Sequence, residues 1–387
     1  MSLRKNVEHY LRYARSYIEP SRYSSASQAR AAALPIAEDS NVCVFDFTSI
    51  KIDNDAARYL YHLVTDFEAA GYSIAYTDRF RFLGSMKSKA CKRQLLNHSY
   101  SIVSPKLLPK NTKVLITDSP HLHCEFAGNM VIVNYDFKRP DPGDHTSIIL
   151  PYFVHPDIHE SEQVANFLST HDLSNERPMS VLFAGNAKLP KYDSATLQNT
   201  FSILSRAKVI QTLEESLPAE KVRRPLKPEH LLPDSSQRHS LTIATTQDLR
   251  IPSKQWIETL AKSDFYLACP GVEMPLCHNL IESLAAGSIP ILQYAEYLDP
   301  PLVHGVNCLI SHDEESLIET VNQALEMNPD GVVTLKANAQ AYYKTHLLPG
   351  SFAKKMVTRS AGQQLTLYIY AYHTPAPNHA NSILLET

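Results

Sequence analysis

Within residues 263–292, SDFYLACPGVEMPLCHNLIESLAAGSIPIL, two of the three carboxylates, an imidazole and an amide stand close together: Glu273, His278, Asn279 and Glu282. With the Gly271 loop they suit a polar, phosphate-bearing ligand, since backbone donors at a helix start attract phosphate. Cleaving a bond to such a phosphate needs positive charge or aligned donors where negative charge develops. Lys188 and Lys191 follow the turn at Gly185, Arg250 follows a strand ending at Thr245, and His278 opens a helix. Arg250 and His278 are the preferred pair for the leaving phosphate. Lys188 and Lys191 read equally well as solvated loop charges, and His278 could instead cap its own helix or bond a loop carbonyl. A general base or nucleophile would complete the chemistry. Asp118, in the turn Asp118-Ser119-Pro120, is the first candidate and His121 the second. A DSP turn is also a common setting for an Asx-turn or a cap. Asp46 inside a predicted strand, Asp136 just past one, and Asp234 and Asp248 in second-domain loops are further carboxylates.

The elements that must position these groups read as alternating strands and helices. Residues 264–268 form a short apolar strand broken by Pro270-Gly271. Leu276, Leu280, Ile281 and Leu284 then fall on one helix face, which closes at Ala285-Ala286-Gly287 before a strand over 289–292. Upstream, strands are predicted over 41–47, 73–76, 113–117, 130–134 and 147–150, with a helix over 55–70. Beyond them come strands over 179–186, 241–245 and 307–310, and helices over 195–217, 252–261, 314–327 and 332–345. Alternation of this kind predicts parallel sheets, with ligands outside the carboxyl ends of the strands. The expected organisation is a helix and linker over 1–35, a first domain over 36–175, a second over 176–345, and a C-terminal helix over 351–359 that crosses back ahead of a tail. The boundary is placed in the polar segment 159–178.

At 387 residues the chain has the length of two domains. Its 44% hydrophobic and 20% charged content is that of an ordinary globular protein. A net charge of −3 gives no general attraction to nucleic acid or to an anionic membrane, local basic clusters aside. No apolar run approaches the ~20 residues of a membrane span, and no apolar core at the start suggests a signal peptide. Instead Leu3, Val7, Tyr10, Leu11 and Ala14 line one face of an N-terminal helix flanked by Arg4, Lys5, Arg12 and Arg15. That helix could pack on its own domain or rest on a membrane surface. Six scattered cysteines without CxxC indicate neither zinc nor a disulfide framework, so a cytoplasmic setting is expected. The patterns GxGxxG, GxxxxGK[ST] and GxSxG are absent, against dehydrogenase, P-loop kinase and hydrolase readings. Asp53-Asn54-Asp55 comes nearest to DxD, but capping of a helix start explains it better.

Asn279-Leu280-Ile281-Glu282 followed by Ala285-Ala286-Gly287-Ser288-Ile289-Pro290-Ile291 resembles the donor half of GT-B glycosyltransferases, especially exostosin-like and bacterial polysaccharide enzymes. The resemblance covers about thirty residues. It implies two Rossmann-like domains facing each other and transfer of a sugar from a nucleotide donor to a glycan or lipid-linked saccharide; with no DxD motif after an obvious strand, no metal or other cofactor is expected. It places the donor's ribose hydroxyls on Glu282, and it implies a role in cell-surface polysaccharide synthesis. Many retaining members carry a second glutamate eight residues earlier, where this chain has Met274 and, one place off, Glu273. A uridine diphosphate donor is the first expectation, with guanosine diphosphate and cytidine monophosphate donors open, the last as in transferases of the acidic sugar Kdo. A nucleotide-sugar epimerase and a non-catalytic nucleotide-sugar-binding protein are the alternatives.

Overall fold

The computed structural model describes residues 18–369 except 54–55, 120–125, 136, 138, 142, 171–172, 174, 189–190, 194, 235–236, 273 and 361–362. The expected N-terminal basic helix and the tail after Tyr372 lie outside the described residues, as do Asn54, Asp55, His121, Asp136 and Glu273. The chain divides into two compact units, one running to Leu150 and resuming at Pro349, the other spanning Pro151 to Leu348.

The first unit is built on seven strands: β1 Val42–Asp46, β2 Ser73–Thr77, β3 Ser101–Val103, β4 Thr112–Thr117, β5 Asn129–Asn134, β6 Ser147–Ile149 and, from the far end of the chain, β13 Leu365–Tyr368. They pair in parallel in the order β3-β2-β1-β4-β5-β13-β6. All five residues of β1 are buried, as expected of a central parallel strand covered on both faces. Helices α1 Pro20–Ala32, α2 Ala57–Ala69, α3 Phe80–Gly84 and α4 Ala90–Gln94 belong to this unit. The expected C-terminal helix is present as α13 Ser351–Ser360. Asp66 of α2 holds its first turn, accepting from the backbone N–H of Gly350 at 2.7 Å and of Ala353 at 2.5 Å. Burial pushes the Asp66 carboxyl up to about 7.

The second unit carries six parallel strands: β7 Met179–Gly185, β8 Val222–Arg223, β9 Leu241–Thr245, β10 Ser263–Leu267, β11 Ile289–Leu292 and β12 Leu309–Ile310. Their order is β12-β11-β10-β7-β9-β8. Its helices are α5 Pro156–Glu160, α6 Gln163–Thr170, α7 Ala195–Phe201, α8 Arg206–Ser216, α9 Trp256–Leu260, α10 His278–Ala285, α11 Glu314–Glu326 and α12 Pro329–Tyr342. In α10, Leu280, Ile281 and Leu284 are fully buried, each contributing roughly 1.5–3 kcal/mol. Gly287 ends that helix at φ +62°, where a Cβ would stand 2.7 Å from Leu173.

Two local expectations are corrected. The polar segment 159–178 is not the boundary, because α5 and α6 bury Ile158, Val164 and Phe167 within the second unit and turn their polar residues outward. The single helix over 195–217 is two, broken where Ser202 takes φ +50° and restarted by Ser205, whose hydroxyl accepts from Lys208 N. The strand β13 had no sequence expectation. Among the described residues no helix is long and apolar enough to cross a membrane.

Candidate functional site

In the second unit the chain leaves β7 toward β9 and β8 on one side and reaches β10, β11 and β12 on the other. The gap between the β7 and β10 carboxyl ends is therefore a topological switch point, where open α/β sheets bind ligands. The loops there start at Asn186 and Ala268, and one side chain ties them together. Arg206, the first residue of α8, donates from Nη1 to the Asn186 carbonyl at 2.7 Å. It also donates from Nε and Nη2 to the Pro270 carbonyl, at 3.2 and 2.9 Å. Its guanidinium lies 4.3 Å from the Tyr192 ring centroid, and the residue is 6% exposed. Among the described residues no carboxylate forms an ion pair with it. A guanidinium stays charged even when buried, so this site carries a positive charge that the described residues meet with carbonyl dipoles and a ring face.

Other contacts hold the same loops. Asn279, in the first turn of α10, donates from Nδ2 to the Tyr266 hydroxyl at 2.9 Å, and that hydroxyl donates to the Ala184 carbonyl at 2.8 Å. Tyr294 donates to the Ala268 carbonyl at 3.0 Å. Gly271 allows the close turn: a Cβ there would stand 2.5 Å from the Met274 carbonyl oxygen. The structure thus brings Gly185, Gly271 and Asn279 to one place, with His278 beside Asn279 at the start of α10. Lys188 is exposed, its N–H bonded to Asn186 Oδ1 at 2.9 Å. Lys191 joins Arg206 at the Tyr192 ring, its Nζ 5.7 Å from the centroid. Arg250 is exposed beyond β9, and among the described residues no hydrogen bond links it to these groups. Asp248 is taken up by Arg224 at 2.8 Å and by the Thr245 hydroxyl at 2.8 Å, while Asp234 is exposed.

Glu282 differs most from its expected role. It is 1% exposed, and both oxygens are used internally: Oε1 accepts from His155 N at 2.8 Å and Oε2 from Trp256 Nε1 at 2.5 Å. Burial raises its carboxyl to about 7. In this arrangement it braces α10 against α9 and residue 155 and offers no open carboxylate to ribose. The brace also seats the His155 ring against His278, centroids 5.2 Å apart and edge to face.

In the first unit the equivalent gap between β1 and β4 is closed by Asp118. Oδ1 accepts from Thr48 N at 2.7 Å and Thr48 Oγ1 at 2.8 Å, and Oδ2 from Ser49 N at 2.8 Å and the Tyr135 hydroxyl at 2.9 Å. Four donors use all four lone-pair positions of a carboxylate, which leaves none to take a proton from an acceptor. Asp46 is likewise engaged, by Arg79 at 2.8 Å and the Thr77 hydroxyl at 2.7 Å.

Sequence reasoning missed Arg206, Tyr192, His155 and Trp256. The signal for Arg206 was the pair Ser205-Arg206: a serine N-cap would have broken the long helix and put the arginine at a helix start facing the strand ends.

No protein-family model matches the chain, and no curated protein matches it. Among solved structures the chain is similar to a glycosyltransferase from Rickettsia africae, at 9% identity and TM-score 0.42 over 83% of this chain and 97% of that one. It is also similar to HepE from Anabaena in complex with UDP-glucose, at 11% identity and TM-score 0.41 over 83% and 98%. A third is a sucrose-phosphate synthase from Thermosynechococcus elongatus, at 9% identity and TM-score 0.40 over 83% and 98%. The case for function stands on this chain's own residues.

Proposed function

We propose that the chain is a GT-B type glycosyltransferase, moving a sugar from a nucleotide donor held by the second unit to a glycan or lipid-linked saccharide, without a metal ion. One observation carries the reading: Arg206, a buried guanidinium with no carboxylate partner among the described residues, stands at the switch point beside the Gly185 and Gly271 turns and the Asn279-Leu280-Ile281-Glu282 helix. Its three hydrogen bonds leave two N–H groups for the leaving phosphate. Fixed in place before the reaction, they would stabilise the charge that develops as the glycosidic bond breaks. Lys188, Lys191 and His278 would add charge or donors around the same phosphate, and Arg250 would approach from the β9 loop. Glu273 remains a candidate for the sugar. Glu282 would meet ribose only if Trp256 gave up its bond. With Asp118 saturated, the acceptor base falls to His121.

A thermal-shift screen with UDP, GDP and CMP tests the reading. A bound nucleotide at 100 times its dissociation constant stabilises the fold by ~2.7 kcal/mol, with UDP the expected first hit. No shift with any of the three would remove the nucleotide-sugar reading. Donor turnover then separates the classes: a transferase consumes donor quickly only with a saccharide acceptor, an epimerase converts it without one, and a binding protein leaves it intact.

A further inference from the structure

The imidazole of His155 is fixed from both ends of the residue. Its backbone N–H donates to Glu282 Oε1 at 2.8 Å, and Trp256 Nε1 holds the other oxygen of that carboxyl at 2.5 Å. Its ring Nδ1 lies 3.2 Å from Asp157 N, whereas the Asp157 carboxylate, at 3.7 Å, is beyond hydrogen-bond reach. A backbone N–H only donates, so Nδ1 accepts and the neutral ring carries its proton on Nε2. The ring stands edge to face on His278, centroids 5.2 Å apart, and the side chain is 46% exposed, open enough for a ligand to reach it. His278 opens α10 next to Asn279. A Cβ on Gly185 would stand 3.6 Å from Asn279 Nδ2 and 3.8 Å from Arg206 Nη1, so consecutive residues of α10 link the His155 ring to the buried guanidinium. We propose that His155 is a further residue of the donor site, its Nε2–H donating to the β-phosphate of the nucleotide beside His278, with Glu282 as the positioning residue that aims it. This rests on the glycosyltransferase reading. It gives Glu282 a phosphate role at one remove in place of a ribose contact, because both of its oxygens are spent on Trp256 and residue 155.

The test is calorimetric titration of the full chain with UDP and with UMP, which lacks the β-phosphate. His155→Asn keeps an acceptor near the Nδ1 position, where His155 caps α5, and asparagine is a favoured N-cap. It removes only the Nε2–H. UDP should then bind about tenfold more weakly while UMP affinity is unchanged. His155→Gln, whose amide reaches the Nε2 position, should recover most of the loss. Glu282→Gln should likewise weaken UDP more than UMP, and adding it to His155→Asn should cost little further, because both act through one contact. Equal losses of UDP and UMP affinity in Glu282→Gln would return that residue to the ribose and overturn its positioning role. Unchanged UDP affinity in His155→Asn, with UDP bound by wild type, would overturn the proposal and leave the nucleotide-sugar reading standing. If UDP does not bind wild type, that reading fails and the proposal falls with it.

Discussion

The two units place opposite charges at the same topological position. Each sheet reverses its strand order beside its first strand, and an ionisable side chain ties loops at each gap: Asp118, itself in the loop after β4, bonds the loop after β1, and Arg206 bonds both flanking loops. In the first unit the bridge is Asp118, an anion with four donors and no remaining lone pair. In the second it is Arg206, a cation that among the described residues spends three of its five N–H groups on carbonyls. The fold supplies the crevice twice; among the described residues the first is held by an anion with its lone pairs used and the second by a cation with N–H groups to spare, the difference on which the proposed phosphate site rests.

If that contrast is right, the largest effect comes from the cation. Arg206→Lys keeps the charge but cannot reach both loops with a planar fork. Turnover should fall about 10²–10³-fold, as when a preorganised transition-state donor is lost, and steady-state kinetics with saturating donor measure it. Asp118→Ala should do the opposite: about 3 kcal/mol of stability lost from stranded loop donors, seen in urea unfolding, with nucleotide affinity unchanged. A third expectation concerns pH. Burial keeps the Glu282 and Asp66 carboxyls protonated up to about 7 in the native protein, whereas the unfolded chain ionises them from about 4. The unfolded state therefore binds fewer protons in that window. Stability should decline as pH rises from about 4 to about 7 and level off above it, by on the order of 1–3 kcal/mol per group. E282Q should remove its share of that slope, and Asp66→Asn the other; a slope unchanged in both variants would contradict the burial argument. Smallest is Lys191→Ala, which leaves Arg206 on the Tyr192 face and should weaken nucleotide binding by less than about 1 kcal/mol, as for an exposed charge.

What could be read from the sequence was local. Period and punctuation gave the buried face of α10, the turn at Gly271 and the close of the helix at Gly287, because those signals lie within a few residues of their consequence. Arg206 escaped because its partners are backbone carbonyls 20 and 64 residues away, which no side-chain motif records. Glu282 was found as a residue but not as a brace, since its donors, Trp256 and His155, come from 26 and 127 residues upstream. The insertion of β13 between β5 and β6 is likewise a long-range pairing with no local mark.

The central claim, that the second crevice is the anion-binding one because of Arg206, is tested most directly by calorimetric titration of UDP into wild type, Arg206→Lys and Asp118→Asn. The account predicts binding to wild type, unchanged affinity in Asp118→Asn, and a loss of about tenfold or more in Arg206→Lys, since a charge-assisted bond contributes ~1.5–3 kcal/mol. Equal affinity in Arg206→Lys and wild type, or a loss confined to Asp118→Asn, would contradict it.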